Sequence, residues 1–599
     1  MKMRIFICLL LFSSVLAAQN QKLINFSGKI ININSVPVSG SSVYLLNTNR
    51  GAVSDQQGRF SINGLIEGSY TLEVSAIGYA TTNLKITISE TSNKELNVQL
   101  ADASVQLDAV MVTAQKTDEI LQQIPFSISA LSSRQVQQYR LWKSDELTAI
   151  VPNLYSSNSG DDRNVTSIRG ITTTSYDPAV ATYIDGVNQF GLDTYIPQLL
   201  DVERIEILRG PQGTLYGRNA MGGVINIITK QPSNKSNGFA EINFGNYGQQ
   251  RYSAGFRSPL IKDKLFIGIS GMYNKRNGFY TNQFTNSSFD DQNSFTGNYY
   301  LKFIAAPKWV LNLNVKHNNN HNDGAFPLVN GVSDALDNPY QLNQDAVARM
   351  IDNTYNSSFS ANYTGRVFNF NSKTAYQSNH RYYNKPLDGD FSPIDGVTVI
   401  NNYGDGWNKV KVFTQEFKFS SPAVTKSDLK WTAGSYLFHQ DNPTKQAIHF
   451  GKDAALVGAP DTDFSIISST KGKSSGIALF SQLTYAITNK FDLIAGLRYD
   501  YEKKKYNVLG EYQKDPNPVP VFETRPDTSA SANFSAFSPK FGMAYTLSAN
   551  SNVFITYNRG FRTGGLTQLS SDPSQPPLYP YKPEYSNNIE AGLKNNFSE

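Results

Sequence analysis

Residues capable of covalent or metal chemistry are scarce in this chain of 599 residues. Its one cysteine is Cys8, so beyond that point there is no thiol for a disulfide, a thiolate nucleophile or a Cys-based metal site. His317 and His321, in KHNNNHND, form the one close histidine pair. On a helix, that spacing would put both rings on one face for a metal. The run is Asn-rich and follows a strand pattern, so a polar external loop with no metal is the expectation. No Ser/His/Asp set or carboxylate pair has a context for nucleophilic or acid–base work, so neither an enzyme nor a cofactor is expected. The chain concentrates its signal instead in residues 202–230, VERIEILRGPQGTLYGRNAMGGVINIITK. There Arg209 precedes Gly210, followed by Gly213, Tyr216, Gly217, Gly222 and Gly223. The spacing fits neither G-x-x-x-x-G-K-[ST] nor G-x-G-x-x-G, so a phosphate cradle is excluded. Glycines at this density suit tight turns and close backbone approach. Upstream, SIRG puts Arg169 before Gly170, and YIDGV puts Asp185 before Gly186.

These motifs need a scaffold, and the rest of the chain supplies one. Residues 1–18 read as a signal peptide: Lys2 and Arg4, an apolar run over 5–12, then small residues to Ala17 and Ala18. Residues 19–101 read as short strands, with Tyr70, Leu72 and Val74, then Leu84, Ile86 and Ile88, then Leu96, Val98 and Leu100 alternating with polar neighbours. Turn signals separate them, as in a small β-sandwich. A polar linker over 102–117 leads to a glycine-rich α+β segment over 118–232, in which Ser133 or Ser144 is expected to cap short helices. From 238 to 599 the period becomes two. Trp309, Leu311, Leu313 and Val315 face one way, while Val310, Asn312, Asn314 and Lys316 face the other. Strands of about 9 to 11 residues with one apolar face are the signature of a transmembrane β-barrel. The 33 Tyr and 35 Phe suit its aromatic girdles. A net charge of +5 without a basic block gives no support for nucleic-acid binding.

The residues 202–230 resemble the plug signature of TonB-dependent receptors, with SIRG and YIDGV at the family's spacing. FTQEFKFSS (413–421), YNRGFRTGG (557–565) and PEYSNNIEAGLK (583–594) resemble its barrel motifs in order. Residues 25–100 resemble the carboxypeptidase-regulatory-like domain, a transthyretin-type sandwich. The resemblance implies a membrane all-β fold: a large antiparallel barrel over 238–599, an α+β plug inside it and the sandwich ahead of both. It places a TonB box at Ala109, Val110, Met111, Val112, Thr113 and Ala114, an extended peptide on a flexible tether that adds as a strand to TonB. It also implies that Arg169 and Arg209 pair with Glu416 and Glu590 of the barrel wall, the alternative being solvated lumen charges. The family has about 22 strands, against 14 to 16 expected from 238–599, so the chain is expected to be incomplete at its C-terminus. The function implied is import of a scarce solute across the outer membrane of a Gram-negative bacterium. A ferric siderophore comes first. A SusC-like glycan or peptide importer with a SusD-like lipoprotein comes second, and a passive barrel or adhesin last. TonB with ExbB/ExbD and the outer-membrane lipids are the implied partners.

Overall fold

The computed structural model describes residues 23–595, except 47, 49, 77–78, 80, 90–95, 102–110, 114, 118, 159, 174–176, 192–195, 330, 423–426, 549 and 570–575. The expected signal peptide therefore lies outside the described residues, as do Ala109, Val110 and Ala114. The chain divides into two compact units, one up to Val110 and one from Met111 onward.

The first unit is a sandwich. One sheet holds Arg59–Leu65, Ile24–Asn32 and Leu96–Leu100; the other holds Gly51–Val53, Ser42–Leu45, Gly68–Ser75 and Thr82–Ile88. Alternation drives it: Ile30, Leu45, Leu72, Ile88 and Leu100 are fully buried between the sheets. Each such side chain contributes roughly 1.5–3 kcal/mol relative to exposure.

The second unit nests a plug within a barrel sheet. The plug sheet runs in the order Ile128–Ser132, Val202–Arg209, Gly223–Thr229, Val180–Ile184 and Val187–Asn188. Gly223–Thr229 is a near-continuous buried apolar run and Val202–Arg209 is buried from Ile205 to Leu208, with Ile205, Ile207 and Ile225 in the core. The short helix Ser133–Gln138 is capped by Ser132 rather than Ser133: its hydroxyl accepts from Gln135 N, and Gln135 Oε1 accepts from Ser132 N. This reciprocal box needs a Gln three residues after the cap, which only Ser132 has. Ser144 opens a 3-10 helix, Ser144–Ala149, but Lys143 occupies its cap position.

Among the described residues seventeen strands form the barrel sheet; setting aside two short loop strands and joining end to end Phe522–Phe537 and Lys540–Ser548, which pair with the same side of Phe491–Lys514, leaves fourteen crossings. The sheet is apolar on its outside. Leu479 and Phe541 are 59% and 58% exposed, whereas the lumen side carries Asn314, Lys316, Gln482 and Arg498, all buried. Such an inverted pattern requires lipid as the outer solvent. Among the described residues no helix is long and apolar enough to cross a membrane. The strands run longer than the expected 9 to 11 residues, up to 25 in Phe464–Thr488, because they continue past the apolar band. His317 and His321 lie within the strand Trp309–Asp323 rather than in a loop, and His317 Nε2 meets the Tyr299 hydroxyl at 3.0 Å. Among the described residues no group of three or more His, Cys, Asp or Glu side chains is placed to hold a metal. One end of the barrel has tight turns, as between Ala306 and Trp309 or Thr488 and Phe491. The other has long loops, as between Asp323 and Arg349 or Arg562 and Glu584.

Candidate functional site: the plug–barrel interface

Local turn chemistry sets the plug's contact points. Asp185 and Gly186 both have positive φ (51° and 74°) between the paired residues Ile184 and Val187, the two-residue hairpin that an Asp-Gly sequence favours. The turn projects Asp185 toward the wall. Its carboxylate accepts from Thr229 N at 2.8 Å and from Thr229 Oγ1 at 2.7 Å, and it pairs with barrel Lys316 at 2.7 Å. Burial alone would raise this carboxyl, but Lys316 and the Thr229 bonds outweigh it and hold it below the usual range. Lys373 of the neighbouring wall donates to the Asp185 carbonyl.

Two glycines of the signature explain themselves by approach. A Cβ on Gly213 would lie 2.5 Å from the Arg559 carbonyl oxygen of the barrel. At Gly217 φ is +75°, and a Cβ would lie 2.5 Å from the Arg498 guanidinium carbon. No other residue type fits either place without displacing the wall. Beside them Tyr216 stacks edge-on against Tyr183 at 4.9 Å. Gly210, Gly222 and Gly223 form the return of the plug sheet, where Gly210 N donates to the Gly222 carbonyl. Gly170 follows Arg169 in a turn where both have positive φ.

The ion pairs differ from expectation in part. Arg169 Nη1 meets Glu590 Oε2 at 3.1 Å, and Glu590 Oε1 accepts from Ser127 N at 2.8 Å. Arg209 lies beside this pair, but among the described residues it makes no ion pair, and its buried Nε has no hydrogen-bond partner. Burial and the Arg169 charge push the Arg209 pKa down, with Glu590 opposing. Glu416 does not take an arginine. Its partner is Lys116, whose ammonium donates to Glu416 and lies over the Phe480 ring at 5.1 Å. The reason is reach: Lys116 enters from the linker at the tight-turn end, where Glu416 sits, while Arg169 and Arg209 lie by the strand Glu584–Asn595.

The linker itself is held. Met111–Val112 pairs antiparallel with Glu119–Ile120, and Val112 is buried. Thr113 N donates to Glu206 Oε1 at 2.8 Å, and Gln482 donates to Gln115. The described part of the expected TonB box is thus docked against the plug rather than extended on a free tether. Glu206, fully buried, also accepts from Arg204 Nε and Asn226 Nδ2. Sequence reading gave no partner to Lys116, Glu206, Lys316 or Lys373, because the group that each meets across the interface lies far away in the chain. It also missed the pair of Arg218 with Asp177, to which Lys504 adds a contact at 3.2 Å. Between the plug and the wall strands Trp309–Asp323 through Leu429–Phe450 lies a cavity of about 610 Å³, lined by Lys116, Asp185, Asn312, Ser358, Lys373 and Glu416 among others.

A barrel with its lumen filled by a plug, ion-paired to the wall and fed by a docked linker, defines a plugged membrane receptor. The chain belongs to the TonB-dependent receptors: residues 229–599 match the model "TonB dependent receptor-like, beta-barrel", residues 120–224 the "TonB-dependent Receptor Plug Domain", and residues 26–112 the "CarboxypepD_reg-like domain". The pesticin receptor of Yersinia pestis is 26% identical over 404 residues, covering 65% of this chain and 55% of its own length. The catecholate siderophore receptor Fiu of Escherichia coli K12 is 24% identical over 494 residues, covering 74% and 63%. The chain therefore spans between about half and two thirds of these relatives. Among solved structures, the ferric yersiniabactin uptake receptor FyuA of Yersinia pestis superposes with a TM-score of 0.67 at 21% identity, over 79% of this chain and 70% of its own.

Proposed function

We propose that the chain imports a ferric siderophore or similar metal chelate across the outer membrane, powered by TonB with ExbB/ExbD. The observation that carries this is the linker. It enters the plug at the tight-turn end of the barrel, the periplasmic end in such barrels. There Lys116, Gln115 and Thr113 fasten it to barrel and plug together. A pull on residues 109–114 would first break these contacts, next to the cavity. The substrate reading rests on the relatives, which include a catecholate siderophore receptor and an iron-regulated outer membrane virulence protein. It ranks ahead of a glycan for that reason. The signal peptide over 1–18, the linker over 102–117, the plug over 118–232 and the barrel from 238 complete the proposed organisation, with the sandwich over 19–101 in the periplasm. Deleting residues 109–114 should abolish uptake of the ferric chelate by iron-starved cells while whole-cell binding persists. Undiminished uptake, or uptake independent of TonB, would sink the reading.

A further inference from the structure

At the long-loop end of the barrel three loops meet on carboxylates. The loop between Tyr383 and Lys409 carries the turn DGDFSPIDG over 388–396. There Asp388 Oδ1 accepts from Asp390 N at 3.1 Å and from Phe391 N at 2.5 Å, and Asp390 Oδ2 accepts from Val397 N at 2.6 Å. The neighbouring loops fasten to this turn. Asp345 N, in the loop after Asp323, donates to the Ser392 carbonyl at 3.2 Å. Asp395 N donates at 3.1 Å to Oδ2 of Asp453, in the loop after Phe450.

One group in this joint has no counter-charge. Asp388 is fully buried, and its Oδ2 has no hydrogen-bond partner. The charges that act on it are those of Asp390 and Asp345, both negative. Asp390 and Asp395 act on Asp345 in the same sense. Among the described residues none of Asp345, Asp388, Asp390, Asp395 and Asp453 has a Lys, Arg or His within ion-pair distance. The cations of the packed elements are engaged elsewhere. Lys385 and Lys452 are exposed, Arg349 pairs with Asp323, and His449, across Thr398 in the row of Asp388, meets Ser465 and Asp515. A carboxylate buried without a partner is costly unless it is neutral. Among the described residues the carboxylates do not converge on a centre that could hold a metal, so the compensating charge is a proton. Burial first, then the charges of Asp390 and Asp345, push the Asp388 carboxyl up to about 7, against the bonds from Phe391 and Asp390 N–H.

The joint also reaches the plug. Gln344, next to Asp345, is fully buried, and its Nε2 donates to the Phe326 and Leu328 carbonyls at 3.1 and 2.9 Å. Phe326 N in turn donates to the Gly160 carbonyl of the plug at 2.8 Å. We propose that a proton on Asp388 latches the three loops together, and that its loss frees the loop between Asp323 and Arg349 from the plug. With the joint open, Asp388 returns to an ordinary value near 4. Below about 4 both forms carry the proton, and their ratio does not change with pH. Between about 4 and about 7 only the closed form carries it, so the open-to-closed ratio rises about tenfold per pH unit; above about 7 it levels off. The device belongs to the mouth of the barrel and does not depend on the solute imported.

The test uses the full chain in phosphatidylcholine vesicles, with nitroxides on Leu336→Cys and Leu456→Cys. Both positions are exposed, one on the loop after Asp323 and one on the loop after Phe450. The distance between the labels is read from about pH 4 to about pH 9. A single short distance in acid should give way to a second, longer one whose share rises about tenfold per pH unit and levels off near 7. Asp388→Asn keeps a neutral side chain of the same shape and should hold the short distance at every pH, with an unchanged melting profile. Asp345→Asn removes one of the charges that raise Asp388 and should move the levelling to lower pH. A parent-like pH profile in Asp388→Asn would overturn the proposal, and so would an unmoved one in Asp345→Asn. Absence of the second distance throughout, or its reversal in alkali by added calcium, would overturn it as well.

Discussion

Against Ser551–Arg562 the plug packs backbone to backbone, whereas against Trp309–Asp323, Arg349–Thr364 and Asn369–Tyr383 it stands off across a cavity of about 610 Å³. On the close side Asn219 N donates to the Phe561 carbonyl, Thr214 Oγ1 donates to the Ser538 carbonyl at 2.9 Å, and a Cβ on Gly560 would lie 2.5 Å from the Ala220 oxygen. On the open side contact is made by long side chains: Lys316 and Lys373 to Asp185, Lys116 to Glu416. Close-packed backbone has no slack, because any displacement opens a void or a clash. Flexible side chains across a polar cavity can exchange partners with water. The plug is thus fixed on one side and releasable on the other.

The largest contrast should come from adding bulk. Gly213→Val forces a side chain into the Arg559 carbonyl and should cost about 3 kcal/mol or fail to seat the plug. The readout is loss of the folded barrel, or sensitivity to large antibiotics. Ser358→Leu, which points bulk into the cavity, should stay within about 1 kcal/mol of the parent. Comparable damage from both would erase the distinction.

Next comes Asp185→Ala, which removes the acceptor of Lys316 and of two Thr229 bonds and should cost about 2 kcal/mol at neutral pH. Its carboxyl is held below its usual value, so the stabilisation is present above the ordinary range near 4 and is lost as pH falls through the lowered folded value. Denaturation curves of parent and variant should therefore converge in strong acid. A gap that widens there would mean that Asp185 is not charged in the folded state.

A smaller effect is expected at the Arg169–Glu590 pair, where the arginine side chain is 31% exposed and the field is partly screened. The double-mutant cycle to Ala should show a coupling of about 1 kcal/mol. Glu590→Ala should be the worse single change, since it also strands Ser127 N and leaves Arg209 beside Arg169 without a counter-charge. Strict additivity would show that the pair contributes nothing. Least of all should follow from neutralising both partners on the open side: Lys116→Met with Glu416→Gln should melt within about 1 kcal/mol of the parent, as buried pairs often do when replaced together. A large loss would make that side as rigid as the other.

Much of this arrangement was legible in the sequence, and the missing parts share a cause. Alternation along 309–315 gave the outward face because a strand's side chains flip strictly at every residue. The glycine spacing of 210–223 and the Asp-Gly hairpin were local signals of turns. Partner choice was not local. Glu416 stands 300 residues from Lys116, and nothing near either residue specifies the other; the motif arginines were the nearer guess, and geometry placed only Arg169 on a glutamate. The docking of Thr113 on Glu206 was hidden for the same reason. His317 and His321 were assigned to a loop because the strand continues beyond the apolar band, where composition turns polar while the ladder persists.

The most direct test of a plug released on one side uses the chain's lack of cysteine beyond Cys8. A reducible bis-methanethiosulfonate cross-link, long enough to replace the two side chains, between Lys116→Cys and Glu416→Cys would fix the linker to the open wall, and a disulfide joining Thr214→Cys to Ser538→Cys would fix the plug to the close wall. TonB-dependent uptake of the ferric chelate should stop in the first variant and return on reduction, with binding unchanged throughout. In the second it should continue with the disulfide intact. If the second bond blocks uptake as fully as the first, the plug leaves as a whole and the two sides do not differ in the way described.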